Sequence, residues 1–151
     1  MTQADIESRL QRAIRTLLRK DRLLLKLDAN ERSITHKLAQ YIQRAFPGWQ
    51  VDCEYNRDGH DCKTLDLPVE HNLSSNDTET HTVFPDIIVH HRNTKDNLVA
   101  LEAKKSTSRV SDDCDNRKLK AFKDQLGYKY AVFVRINTGN ERHQLPQIEW
   151  K

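Results

Sequence analysis

Four side chains in this sequence have the types and spacing to hold a hard cation and act on a phosphate ester: Asp86, Glu102, Lys104 and Glu31. Side chains alternate faces along a strand, so Glu102 and Lys104 share one face of LVALEAK while Leu101 and Ala103 share the other. A Glu and a Lys closing an otherwise apolar strand need a reason. Asp86 opens a second apolar run, DIIV, directly after Pro85. If the two strands pair as a hairpin across the turn-like segment 92–97, Asp86 and Glu102 both fall at the end away from the turn. Two carboxylates at one sheet rim suit Mg²⁺, which takes oxygen ligands and keeps waters that a phosphate can replace; Mn²⁺ is the expected substitute. Phosphodiester hydrolysis needs an activated water, neutralised phosphate charge and a stabilised leaving oxygen. The cation would do the first two jobs. Lys104 would orient or help deprotonate the water and offset the charge of the transition state.

Those residues must be positioned by neighbouring elements. Glu31 lies three residues before Ile34 and seven before Leu38, on the buried stripe of a helix formed by Ile34, Leu38, Tyr41, Ile42, Ala45 and Phe46. Pro47-Gly48 stops that helix, and Asp28 or Asn30 caps its start. Upstream, Ile6, Leu10, Ala13, Ile14, Leu17 and Leu18 predict an amphipathic helix over 3–20, with Arg9, Arg12, Arg15 and Arg19 interleaved. The state of Leu23–Leu27 is left open. Residues 49–56 predict a strand, and 57–82, rich in Asp, Asn, Ser, Thr and His, a long surface loop with room for a short strand. The hairpin pairs 84–90 with 98–104. A helix over 113–126 ends at Gly127, and 128–136 predicts a buried strand. In the polar tail, Ile148 and Trp150 alternate as a short edge strand does. The succession is a mixed α/β pattern around one sheet.

Pro85-Asp86, fifteen residues, then Glu102-Ala103-Lys104 resembles the PD-(D/E)XK signature of the restriction-endonuclease-like nuclease superfamily. The order of elements is similar to that family's αβββαβ core, preceded here by a helix bearing Glu31. The resemblance covers 28–136. It implies a mixed central sheet flanked by helices, with residues 1–27 as an N-terminal helical extension and 28–151 as the nuclease-like domain. It also implies that Asp86 and Glu102 bind metal, that the Ala103 carbonyl and Glu31 add to the set, that Lys104 is catalytic, and that DNA is a more frequent substrate than RNA. One extension found in some branches, a Gln with a Tyr four residues later, is absent: Gln125 has Tyr128 three later.

Each feature also has a plainer reading. Asp86 and Glu102 can be strand-end residues facing water, and Glu31 can take part in a capping-box-like pairing with Asp28-Ala29-Asn30. Lys105, Arg109 and Lys118 lead a basic segment with Arg117, Lys120 and Lys123 that is the best phosphate-contact candidate, diluted by Asp112, Asp113 and Asp115. Arg57 or Asn56 is a further candidate for phosphate contact. Cys53, His60 and Cys62 do not form a zinc pattern. His81, His90 and His91 are expected at the surface.

Composition sets the frame. Of 151 residues, 36% are hydrophobic and 31% charged, which fits one compact, heavily solvated domain, and a net charge of +3 does not by itself announce a nucleic-acid binder. Three sparse cysteines argue against a disulfide framework. The polar opening MTQADIESR lacks the apolar stretch of a secretory signal, and no run is long enough to span a bilayer, so a cytoplasmic location without a membrane partner is expected. A chain this small has little surface for wrapping a duplex, so a homodimer or larger assembly is expected. Three rivals stand beside a Mg²⁺-dependent deoxyribonuclease. They are a binding module that keeps the nuclease fold without turnover, an RNA-directed nuclease, and an assembly protein whose basic helix binds a partner.

Overall fold

The computed structural model describes residues 1–55, 64–68, 78–82 and 85–151, with 64–68 and 78–82 described by their backbone alone. Helix α1 (Gln3–Lys20) starts at Thr2, whose hydroxyl accepts the Asp5 N–H while the Asp5 carboxylate accepts the Thr2 N–H. Its Ile6, Leu10, Ala13, Ile14 and Leu17 are buried at helical spacing. The arginines of its polar face are divided in their roles. Arg9 and Arg12 donate to the Ala45 carbonyl, and the Arg9 guanidinium lies 5.7 Å from the centre of the Phe46 ring. These cations meet the carbonyl end of the next long helix, where charge of that sign is favoured. Leu23–Leu27, open from sequence, forms the short helix α2 (Arg22–Lys26) with Leu25 buried.

Helix α3 (Glu31–Ala45) is capped by Asn30, whose side chain accepts the Ser33 N–H at 2.7 Å. Asp28, the other candidate cap, takes a left-handed φ of 50° and turns its carboxylate to Thr107, Thr138 and Lys105. The strands follow as β1 (Gln50–Cys53), β2 (Thr64–Pro68), β3 (Thr78–Thr82), β4 (Ile87–His90) and β5 (Asn97–Lys105). Helix α4 (Asp113–Leu126) ends at Gly127 with a φ of 68°, a conformation only glycine adopts without strain. Strands β6 (Tyr130–Ile136) and β7 (Gln147–Trp150) complete the chain, the second of them the edge strand expected from Ile148 and Trp150. Segment 57–82 departs from the expected surface loop. Its described parts, β2 and β3, pair antiparallel with Leu65 opposite His81, and the β2 backbone runs beside α4.

One five-stranded sheet, ordered β1-β4-β5-β6-β7, organises the rest. β4 pairs antiparallel with both β1 and β5, β5 pairs parallel with β6, and β7 returns antiparallel on β6. The expected hairpin is therefore present, and α4 is the crossover between the parallel strands. One face of the sheet, with Ile87, Val89, Leu101, Ala103, Val132 and Val134, packs under α1 and α3 in a single apolar cluster. The opposite face, with Ile88, Ala100, Ala131 and Phe133, packs under α4 through Leu119 and Phe122. The molecule is an α/β structure with a mixed sheet between helices. Among the described residues no helix is long and apolar enough to cross a membrane.

Candidate active site

The register of β4 and β5 ends at Ile87 opposite Leu101, yet β5 continues to Lys105. N–H groups of the overhanging stretch need acceptors other than a β4 carbonyl. Asp86, just ahead of β4, accepts the Ala103 N–H at 2.8 Å, and Glu31, at the first position of α3, accepts the Lys105 N–H at 3.0 Å. Glu31 thus reaches across to β5, as its place on the helix stripe predicted; it is not bound in a capping box. Both carboxylates substitute for a neighbouring strand. They also place two negative charges along one short edge of the sheet.

Beneath α4 the strand continues differently. Glu102 is 2% exposed, and its Oε2 accepts the Lys118 Nζ at 2.7 Å. Its Oε1 is buried and has no hydrogen-bond partner among the described residues. Such an atom forgoes solvation without compensation, which is rare enough to need a cause. Lys118 is also paired with Asp115 at 3.3 Å. Lys104, on the same face as Glu102, points its ammonium to Asp115 at 2.5 Å, Asp112 at 3.3 Å and the Ser111 carbonyl at 2.8 Å. Asp112 in turn accepts Arg135 of β6. Charges alternate from Glu102 through Lys118, Asp115, Lys104 and Asp112 to Arg135.

Electrostatics follow from this crowding. Burial pushes the Asp86 carboxyl above the usual range, and the Glu31 and Asp115 charges add to it; the Ala103 N–H and Lys118 work the other way. Burial raises Glu102 well above its ordinary value, reinforced by Asp86 and opposed by Lys118. For both lysines burial alone favours the neutral amine, but their acid partners outweigh it: Asp115 and Asp112 hold Lys104 up, and Glu102 and Asp115 hold Lys118 up. These acids hold both ammonium groups in the charged form. The expectation that Lys104 helps deprotonate a water finds no support in its surroundings, whereas its charge stands where the alternation of β5 placed it.

A cleft of about 420 Å³ opens over the acidic edge, lined by Glu31, Arg32, Thr35, His36, Cys53, Glu54 and Asp86. Arg32 is paired with Glu54 across it. Asp86 and Glu31 are therefore brought together at one cleft, and Glu102 joins them electrostatically through Asp86. Of the phosphate-contact candidates, Arg109 is exposed. Lys105 is committed to Asp28 and the Ala29 carbonyl, and Lys118 to Glu102. Asn56, Arg57, His60 and Cys62 lie outside the described residues.

His90 is the clear correction: it is 3% exposed, with Nε2 2.8 Å from Asp52 and its ring edge-on to Tyr55. It shares the α4 face of β4, and the pairing of β1 with β4 buries it. Sequence reasoning missed the roles of Lys118 and Asp115. Their i,i+3 spacing on a predicted helix marked a possible pair, but nothing local marked their convergence on Glu102.

No family model, no curated protein and no solved structure matches the chain. Among the described residues no group of three or more His, Cys, Asp or Glu side chains is arranged to hold a metal ion. Magnesium does not demand such a cage, because one or two carboxylates with waters and substrate phosphates suffice. The orphaned Glu102 Oε1 beside the mutually repelling Asp86 fits a hard cation on that ground.

Proposed function

We propose that the chain is a metal-dependent nuclease of the PD-(D/E)XK type, hydrolysing phosphodiester bonds with DNA as the expected polymer and Mg²⁺ or Mn²⁺ as the cation. The observation that carries this reading is a buried Glu102 with one oxygen that has no partner among the described residues, crowded by Asp86 at the end of a strand whose next same-face residue is Lys104. Three described core strands, α3 ahead of them and α4 and β6 after them also follow the order that the resemblance implies.

Asp86 and Glu102 are the residues that would hold the cation, with Glu31 and the Ala103 carbonyl beside them. When bound, the cation supplies Lewis-acid neutralisation of the phosphate and activation of water. This chain's own groups do the rest. Asp86 and Glu31 fix the overhanging part of β5 through its N–H groups, which sets the position of Glu102 and Lys104. Lys118 pairs with Glu102 and opposes the effect of burial on its carboxyl. Lys104 contributes positive charge, held by Asp115 and Asp112, towards a phosphate approaching the β5 end.

A second reading has its own observation. Lys104 and Lys118 are both satisfied by acids and carbonyls of the chain, and such a closed network also suits a binding module on the same fold without turnover. The two separate in one experiment. Purified protein is incubated with plasmid, linear and branched DNA and with RNA, in Mg²⁺ or Mn²⁺, beside Asp86→Asn, with folding followed by circular dichroism. Cutting by wild type and none by the folded variant is the expected result. Mn²⁺ binding without cutting of any polymer supports the binding module. Cutting of RNA alone transfers the reading to an RNA-directed nuclease.

A further inference from the structure

At the far side of the same sheet end, Arg19 of α1, Arg22 of α2, Arg142 and His143 converge on a pocket of about 330 Å³ whose apolar floor is Leu18 and Leu25. No acid lines it. Asp21, between Arg19 and Arg22 in the chain, turns its carboxylate to the Tyr41 hydroxyl. Among the described residues Arg19, Arg22 and Arg142 take part in no ion pair, in contrast with the paired lysines under α4. Like charges gathered without a counter-ion repel, so the cluster is stabilised by an anion from outside.

Arg142 gives the cluster a built component. Its Nη1 donates to the Gly139 carbonyl at 2.7 Å, which fixes the guanidinium on its own 3₁₀ turn (Gly139–Glu141). Its Nε is buried and has no acceptor among the described residues. A guanidinium held in place in this way is preorganised to meet an oxyanion at its outward edge. The turn packs on α2, and Thr138 at its start donates to Asp28, the residue that also holds Lys105. The pocket and the acidic edge therefore flank one end of the sheet.

We propose that this pocket binds a backbone phosphate of a nucleic acid, with Arg22 and Arg142 as its principal contacts and Arg19 and His143 at its rim. Anion binding here stands independently of turnover; only its service to a cut at the acidic edge rests on the nuclease reading. The pocket volume exceeds what a lone phosphate fills and admits the attached sugars of a strand. Arg15, four residues before Arg19 and exposed on the same helix, continues the positive surface beyond the pocket, which suits a polymer better than a single anion.

The test is fluorescence anisotropy with a short labelled duplex and a labelled single strand in EDTA, where no cation-dependent cutting occurs. Arg22→Gln/Arg142→Gln is compared with wild type and with Arg44→Gln, whose guanidinium stacks over Tyr41 outside this pocket. The double variant is expected to bind at least about 10-fold more weakly, and its salt dependence to fall by about one phosphate contact, while Arg44→Gln stays within about twofold. Circular dichroism confirms the fold of each. Absence of binding by wild type, equal affinity of the double variant, or an equal loss in Arg44→Gln overturns the proposal. So does binding to phosphatidylserine vesicles without binding to either nucleic acid. Binding that survives in a protein that cuts nothing removes the nuclease reading and leaves this one standing.

Discussion

On the side of β5 that meets α1 and α3, Leu101 and Ala103 join an apolar cluster that runs from Ile6 to Ile136. On the side that meets α4, the same stretch of strand carries Glu102 and Lys104, both buried, in a chain of alternating charges. The two faces receive equal shelter from water, yet one is built for cohesion and the other holds charges whose desolvation is costly. An apolar pair at 102 and 104 would satisfy the fold at least as well. Retaining a Glu and a Lys there concentrates field at the end of the strand, which is what a phosphate site requires and a core does not.

Breaking one member of the charged face should have the largest effect on stability. Lys118→Met leaves Glu102 buried without its ammonium, at a cost of about 3–5 kcal/mol in urea unfolding near pH 8. Burial raises the folded-state pKa of Glu102, so its ionisation is a loss of stability that develops as pH rises from the ordinary value of 4.5 through the folded value. Below 4.5 the carboxyl is protonated folded and unfolded alike. The deficit of Lys118→Met relative to wild type should therefore shrink on acidification. Adding Glu102→Gln to the same chain should recover most of it. A deficit that is flat from pH 8 to pH 4.5 would show that the pair is not what the substitution broke.

Lys104→Met comes next, at about 2 kcal/mol, because Asp115 retains Lys118 and Asp112 retains Arg135 after the loss. If cutting disappears while the melting temperature falls only modestly, the charge of Lys104 acts on the substrate. If cutting tracks the fraction folded, Lys104 belongs to the scaffold alone. Ile87→Val, on the apolar face directly opposite Leu101, should cost about 1 kcal/mol and leave activity per folded molecule unchanged. That result sharpens the contrast between the faces.

How much of this was legible in the sequence divides along the same line. The helices of residues 3–20 and 31–45, the β4–β5 hairpin, the Gly127 stop and the closing edge strand follow from local periodicity and caps, which neighbouring residues encode. The shared face of Glu102 and Lys104 was readable because alternation is a property of one strand. What each ammonium binds was not readable. Lys118 and Glu102 are separated by 16 positions, and their contact depends on how α4 crosses the sheet. The burial of His90 was missed for a related reason, since it depends on the pairing of β1 on β4 and the approach of Tyr55. Arg142 could not be matched with Arg19 and Arg22 because a turn after the last core strand brings it to them.

The smallest effect is expected at the overhang of β5, where it decides whether two carboxylates are kept for their charge or for their lone pairs. In Asp86→Asn and Glu31→Gln the amide oxygen can still accept the Ala103 or Lys105 N–H, so the strand end keeps its acceptors. Burial raises the Asp86 pKa in the folded state, so ionisation costs stability as pH rises from below 3.8 through the folded value. Asp86→Asn escapes that cost. Its melting temperature relative to wild type should rise with pH, with a difference under about 1 kcal/mol at neutrality. Asp86→Ala, which strands the Ala103 N–H, should instead lose about 1–3 kcal/mol at low pH, a deficit that narrows as pH rises because it too escapes that cost. A carboxylate that an amide replaces without structural loss, but whose removal ends cation binding, is present for its charge. If Asp86→Asn proves as damaging as Asp86→Ala, the negative charge is itself a structural partner of Lys118, and the acidic edge loses its claim to be a cation site.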